Sequence, residues 1–149
     1  MVGRMVRGGI GAALALAAQA CSDASGLDPV ELYRMEQFEG VRLPALVFQG
    51  DGVSSTIVGA EALLLRGGQG RMTTTLRNVD PATPEGRIES HAFRFTYVVG
   101  GTRIEITYEC PPNADCMPGP HLTGERLPDR LALAPPTSSR LASIYRRVD

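Results

Sequence analysis

Ile88-Glu89-Ser90-His91-Ala92-Phe93-Arg94-Phe95-Thr96-Tyr97-Val98-Val99-Gly100-Gly101-Thr102-Arg103-Ile104-Glu105-Ile106-Thr107-Tyr108 alternates with a period of two on both sides of a glycine pair. A β-strand sends successive side chains to opposite faces, so His91, Phe93, Phe95, Tyr97 and Val99 share one face. Ser90, Ala92, Arg94 and Thr96 share the other. Gly100-Gly101 supplies the hairpin turn. The return strand puts Ile104, Ile106 and Tyr108 inward and Arg103, Glu105 and Glu109 toward water. This hairpin sets the class: the chain is read as β.

The neighbouring segments extend the pattern in both directions. Arg71 to Arg77 alternates, with Met72, Thr74 and Leu76 facing one way. Thr56 to Leu65 is a longer apolar run, ended by Gly67-Gly68-Gln69-Gly70. Asn78 to Gly86 holds two prolines and reads as a loop. Asp51-Gly52 and Glu39-Gly40 read as tight turns, with Ala45 to Gln49 as a strand between them. Toward the C-terminus, His121 to Leu127, Arg130 to Ala134 and Leu141 to Val148 read as short strands. Asp28-Pro29-Val30-Glu31 has the form of a helix start, with Asp as cap and Pro at the first position. There is no internal repeat.

These segments predict about eight strands joined by short turns, and eight is the smallest common closed barrel. Closure removes the raw edges that an open meander would leave. The expected fold is therefore a single small antiparallel meander barrel over residues 31–149. A meander sandwich gives nearly the same pattern and is the alternative. The protein has no Trp and only four Phe and four Tyr. Its core must therefore be mostly aliphatic.

The first 20 residues read differently. Arg4 and Arg7 precede an apolar stretch from Ile10 to Ala18. Such a stretch suits an export signal and is too short for a membrane span, which takes roughly 20 apolar residues. Leu16-Ala17-Ala18-Gln19-Ala20-Cys21 resembles a lipobox, the processing site of bacterial lipoproteins. Ala18-Gln19-Ala20 is also an A-x-A site for ordinary signal removal. Both cuts leave Cys21 first; they differ in whether its sulfur carries acyl chains such as palmitate. Residues 1–20 are thus expected to be a lipoprotein signal peptide and 21–30 a lipidated tether. Two or more acyl chains give stable anchoring. Ser22 rather than Asp follows the cysteine, which by the sorting rule of well-studied Gram-negative bacteria implies the outer membrane, facing the periplasm.

The other cysteines follow from that address. Cys110 and Cys116 enclose a seven-residue segment, and export makes a disulfide between them reasonable. It would stabilise by roughly 2–2.5 kcal/mol on the chain-entropy model. The alternative is a metal site of Cys110, Cys116 and His121, perhaps joined by Asp115. Its spacing matches no common zinc pattern, so no metal and no cofactor are expected.

The remaining composition excludes more than it selects. The formal net charge is −1, and there is no Lys. No basic face dominates, so nucleic acid is not expected as a partner. There is no G-x-S-x-G elbow, phosphate loop, G-x-G-x-x-G or H-E-x-x-H, and no enzymatic activity is expected. The carboxylates read as a solvated face.

Tyr33-x-Met35-x-x-Phe38-Glu39-Gly40-x-x-Leu43-Pro44 is similar to the opening of small secreted bacterial proteins of lipocalin-like type. Their usual form is Tyr-x-Leu-x-x-(Val/Ile)-Asn-Gly-x-x-Leu-Pro. The Leu-rich strand before a Gly-rich turn and the terminal Tyr145-Arg146-Arg147 also look like that group. The resemblance implies a barrel and assigns no activity. Two readings of function stay open. One is a carrier of a small apolar ligand, with His91, Phe93, Phe95 and Tyr97 lining the cavity. The alternative for these rings is a filled core, and for His91 a hydrogen-bonded residue near the strand's start. The other reading is a protein-interaction module at the cell envelope.

Overall fold

The computed structural model describes residues 29–110, 114, 119, 121–137 and 142–149. The expected signal, most of the tether, Cys21 and Cys116 lie outside the described residues. Among the described residues all regular elements are strands. They are β1 (Pro29–Phe38), β2 (Val41–Arg42), β3 (Ala45–Gly50), β4 (Val53–Leu65) and β5 (Gln69–Asp80). Then come β6 (Thr83–Gly100), β7 (Arg103–Tyr108), β8 (Leu122–Arg126), β9 (Arg130–Ala134) and β10 (Ser143–Val148).

Eight of them form a closed antiparallel barrel. The hydrogen-bonded order runs β1-β10-β9-β8-β7-β6-β5-β4, and β1 pairs back onto β4. That last ladder, from Pro29↔Leu65 to Arg34↔Glu61, decides between barrel and sandwich. No hairpin makes this pairing, and nothing local in the sequence announces it.

Past Arg34 and Glu61 the two strands separate. Register shifts at Met35/Gln37 and at Ile57/Gly59 mark the divergence, as bulges do where a strand must bend. β2 then pairs with the tip of β1, and β3 with the first half of β4. Strands β4, β5 and β6 are 13, 12 and 18 residues long, whereas β7 to β10 have only 5 or 6. The surplus length therefore projects beyond the ring, with β3, as a four-stranded lip.

The turns carry their expected chemistry. Glu39-Gly40 and Asp51-Gly52 each have positive φ at both residues, 47° and 83°, then 51° and 78°. This is the type I′ geometry that matches strand twist. The Leu43–Pro44 peptide between β2 and β3 is cis.

The core fills one half of the barrel. Tyr33, Leu64, Phe95, Ile104, Ile106, Leu131 and Leu133 are its largest fully buried side chains. Gly70 stands directly opposite Phe95. A Cβ at Gly70 would land on the Phe95 ring, so the ring lies in the space that glycine leaves.

Three expectations are corrected. Pro29 to Glu31 is strand, not a helix start, and the barrel begins there, ahead of the expected Glu31 boundary. The local cap signal loses to the ladder with β4. Residues 78–86 are not a loop: the turn is only Pro81-Ala82. Asp80 Oδ1 accepts from the Ala82 and Thr83 amides at 2.8 and 2.7 Å, an Asx turn that tightens the hairpin. Glu31 is not on a solvated face but 7% exposed and inside the ring.

Candidate functional site

The barrel has two different ends. At the end where β1 starts, Glu31 is enclosed by cations. Its Oε2 accepts from Arg126 Nε at 2.8 Å and from the Tyr33 hydroxyl at 2.7 Å. Its Oε1 accepts from Arg126 Nη2 and from Arg147 Nη1. The Arg126 guanidinium holds the Glu31 carboxyl below its ordinary range, even though burial pushes the other way. Burial, then the bond to Glu31, raises the Tyr33 phenol to about 12. Every carboxylate oxygen is used, so the cluster reads as a structural plug.

At the opposite end lies a cavity of about 300 Å³. Met35, Phe38, Ile57, Met72, Leu122, Leu133 and Pro135 give it apolar walls. The polar lining is Glu39, Thr74, Ser143, Tyr108 and Tyr145. Period two places Met35 one step beyond the core residue Tyr33 on β1. Met72 and Thr74 come from β5, Tyr108 from β7 and Tyr145 from β10.

The two tyrosines set the polarity of this cavity. The Tyr145 hydroxyl points at Met72 Sδ, 3.7 Å away, and the Tyr108 hydroxyl at the same sulfur, 3.9 Å away. Burial pushes both phenols up, so both stay protonated well above neutral pH. Tyr108 also anchors an aromatic row. Its ring lies 6.0 Å from Phe93 and 5.0 Å from His121.

The residues singled out from sequence are distributed along β6 rather than around this cavity. Phe95 is fully buried in the core. Tyr97 is half-buried, edge-on to Phe95 at 6.3 Å, and its hydroxyl donates to the Leu65 carbonyl at 2.8 Å. Phe93 is 52% exposed. His91 is exposed on the lip, its Nε2 3.8 Å from Glu89 Oε2. They do share a face, as period two requires. The face itself passes from barrel interior to lip, because β7 ends at Tyr108, opposite Phe95.

His121, named above as an alternative metal ligand, is half-buried. Its Nδ1 accepts the Tyr108 amide at 3.0 Å. The sulfur of Cys110 is engaged rather than free. It stands 2.9 Å from the Ala114 carbonyl oxygen. Cys116 and Asp115 lie outside the described residues.

Sequence reasoning missed Met35, Met72, Tyr108 and Tyr145 as cavity residues. Each sits at an inward position of its strand, so the signal was present. What was lacking is the register that brings β1, β5, β7 and β10 to one level. Comparison with protein-family models, with curated proteins and with solved structures finds no match to this chain.

Proposed function

We propose that this chain is a lipid-anchored envelope protein of lipocalin-like kind that carries a small apolar ligand in its barrel. The observation that carries the reading is the cavity of about 300 Å³ with apolar walls and a few convergent polar groups. Ligand sites have that composition, and this volume falls at the lower end of their range. The ligand lies among Met35, Met72, Leu122 and Leu133, with the Tyr108 ring beside it. Catalysis has no part in this reading.

The anchor at Cys21 belongs to the same proposal, supported by the export-like segment that precedes it. The disulfide between Cys110 and Cys116 belongs to it too, supported by the engaged state of the Cys110 sulfur.

Native mass spectrometry of the purified protein, followed by solvent extraction, tests the carrier reading. Bound small apolar molecules are expected. A small apolar fluorescent probe that matches the cavity, naphthalene, should bind the emptied protein. Leu122→Trp, which fills the cavity, should weaken that binding at least about tenfold, the loss of one large apolar contact. Unchanged probe binding in a folded Leu122→Trp protein rejects the site.

One observation favours a protein-interaction role instead. Leu46, Val47 and Phe48 are 55%, 41% and 54% exposed in sequence on β3, the outermost strand of the lip. Exposed apolar edge strands are association surfaces. Loss of a copurifying envelope protein on Val47→Lys, with probe binding retained, would select that role.

A further inference from the structure

Two hydroxyls from separate strands converge on one sulfur inside the cavity. Tyr145 on β10 and Tyr108 on β7 both donate toward Met72 Sδ on β5, at 3.7 and 3.9 Å. A thioether is a weak acceptor. Tyr145 is only 3% exposed, and a buried hydroxyl without a proper acceptor costs about 1–3 kcal/mol. Met72 is an unbranched, adaptable side chain that can yield its place. The arrangement offers two donors to a single acceptor atom with two lone pairs, which is what a carbonyl oxygen presents.

The charge of the lining narrows the class. Among the described residues Glu39 is the only ionisable carboxylate on the wall, and no Arg or His lines it. A carboxylate or phosphate ligand would be buried without a cation and would face Glu39, which is unfavourable. A neutral oxygen meets neither penalty.

Resting on the carrier reading, we infer that the ligand is an apolar molecule with one neutral carbonyl oxygen, received by the hydroxyls of Tyr108 and Tyr145. The volume suits a body on the order of ten heavy atoms, at roughly 30 Å³ for each water-sized group. Ketones, aldehydes, esters and amides on a hydrocarbon frame meet the description; fatty acids do not.

The test uses three probes of about equal size, propiophenone, butylbenzene and phenylacetate, titrated calorimetrically into the purified full chain. The same titrations are made on Tyr145→Phe, a change that removes one oxygen and keeps the ring, and on Tyr108→Phe as a second variant. The wild type is expected to bind the ketone and the hydrocarbon, and phenylacetate more weakly than the ketone. Tyr145→Phe should weaken propiophenone about tenfold, the worth of one good hydrogen bond, and leave butylbenzene within about twofold. Equal effects of both variants on ketone and hydrocarbon, or tighter binding of phenylacetate than of propiophenone, overturn the inference and leave the carrier reading standing. Binding of none of the three removes the carrier reading, and this inference with it.

Discussion

Glu31 and Gly70 show how single residues decide this barrel. Glu31 is placed inside by period two with Tyr33 and is tolerable there only because Arg126, Arg147 and Tyr33 satisfy both oxygens. Glu31→Gln should cost about 2 kcal/mol, since it leaves two guanidinium groups facing a neutral amide. Chemical denaturation reads this directly. The pH dependence follows from the same contacts. The folded Glu31 carboxyl binds its proton more weakly than in the unfolded chain, so its contribution is complete above the ordinary carboxylate range. It is lost as pH falls through the lower folded value. Acid should therefore lower the melting temperature of the wild type more steeply than that of Glu31→Gln. Tyr33 acts in the opposite direction: its folded pKa of about 12 exceeds the ordinary 10. Its stabilisation is full below pH 10 and disappears as pH rises toward 12, and Tyr33→Phe should flatten that alkaline limb. Gly70→Ala forces a methyl into the Phe95 ring and toward the Leu63 carbonyl. The expected penalty is about 2–3 kcal/mol, the usual cost of overpacking, seen as a lower denaturant midpoint with unchanged slope.

Single elements were largely legible, and their failures have physical causes. Arg130–Ala134 is a strand over the span that its alternation predicts, and the Ile88–Tyr108 hairpin forms, but its turn is Gly101-Thr102 rather than Gly100-Gly101, because Gly100 still pairs with Arg103. Pro81 and Pro84 made residues 78–86 look like a loop. Proline is nevertheless tolerated at the start of an edge strand, and Asp80 supplies the turn bonds itself. The lip that results has unequal outer strands. On β6, Pro84, Glu85, Arg87, Glu89 and His91 discourage edge pairing. On β3, Leu46, Val47 and Phe48 do not. Val47→Lys should therefore slow concentration-dependent aggregation, followed by light scattering, without lowering the melting temperature. An equally fast rise in scattering would place the sticky edge elsewhere.

At the scale of the whole molecule, the barrel separates a charged plug from an apolar cavity. β1 starts beside the plug and ends at the cavity, and the lipid anchor proposed at Cys21 precedes it in the chain. Cys21→Ser should then move the protein from the membrane to the soluble fraction after cell fractionation. If both forms are already soluble, the anchor is wrong. The closing ladder between β1 and β4 gives a further expectation. Arg34 and Glu61 sit at its last rung with an exposed ion pair of 2.9 Å. Charge reversal at Glu61 should change stability by less than about 1 kcal/mol, because exposed pairs contribute little. The backbone ladder, not this pair, holds the ring shut.

Alternation and turn residues, read along the chain, determined that the protein is built of antiparallel strands, roughly how many, and which side chains share a face. Those are properties of neighbours two or three residues apart, and local geometry enforces them. Only the tertiary structure decided that β1 closes on β4, that β6 outruns β7, and that Phe95 fills the core while Phe93 stands in water. Those depend on strand lengths and on the register between segments far apart in sequence. A one-sided row of rings on β6 cannot say where its partner strand ends. For the same reason the cavity belongs to Met35, Met72, Tyr108 and Tyr145, which come from four strands and meet only when the ring is closed.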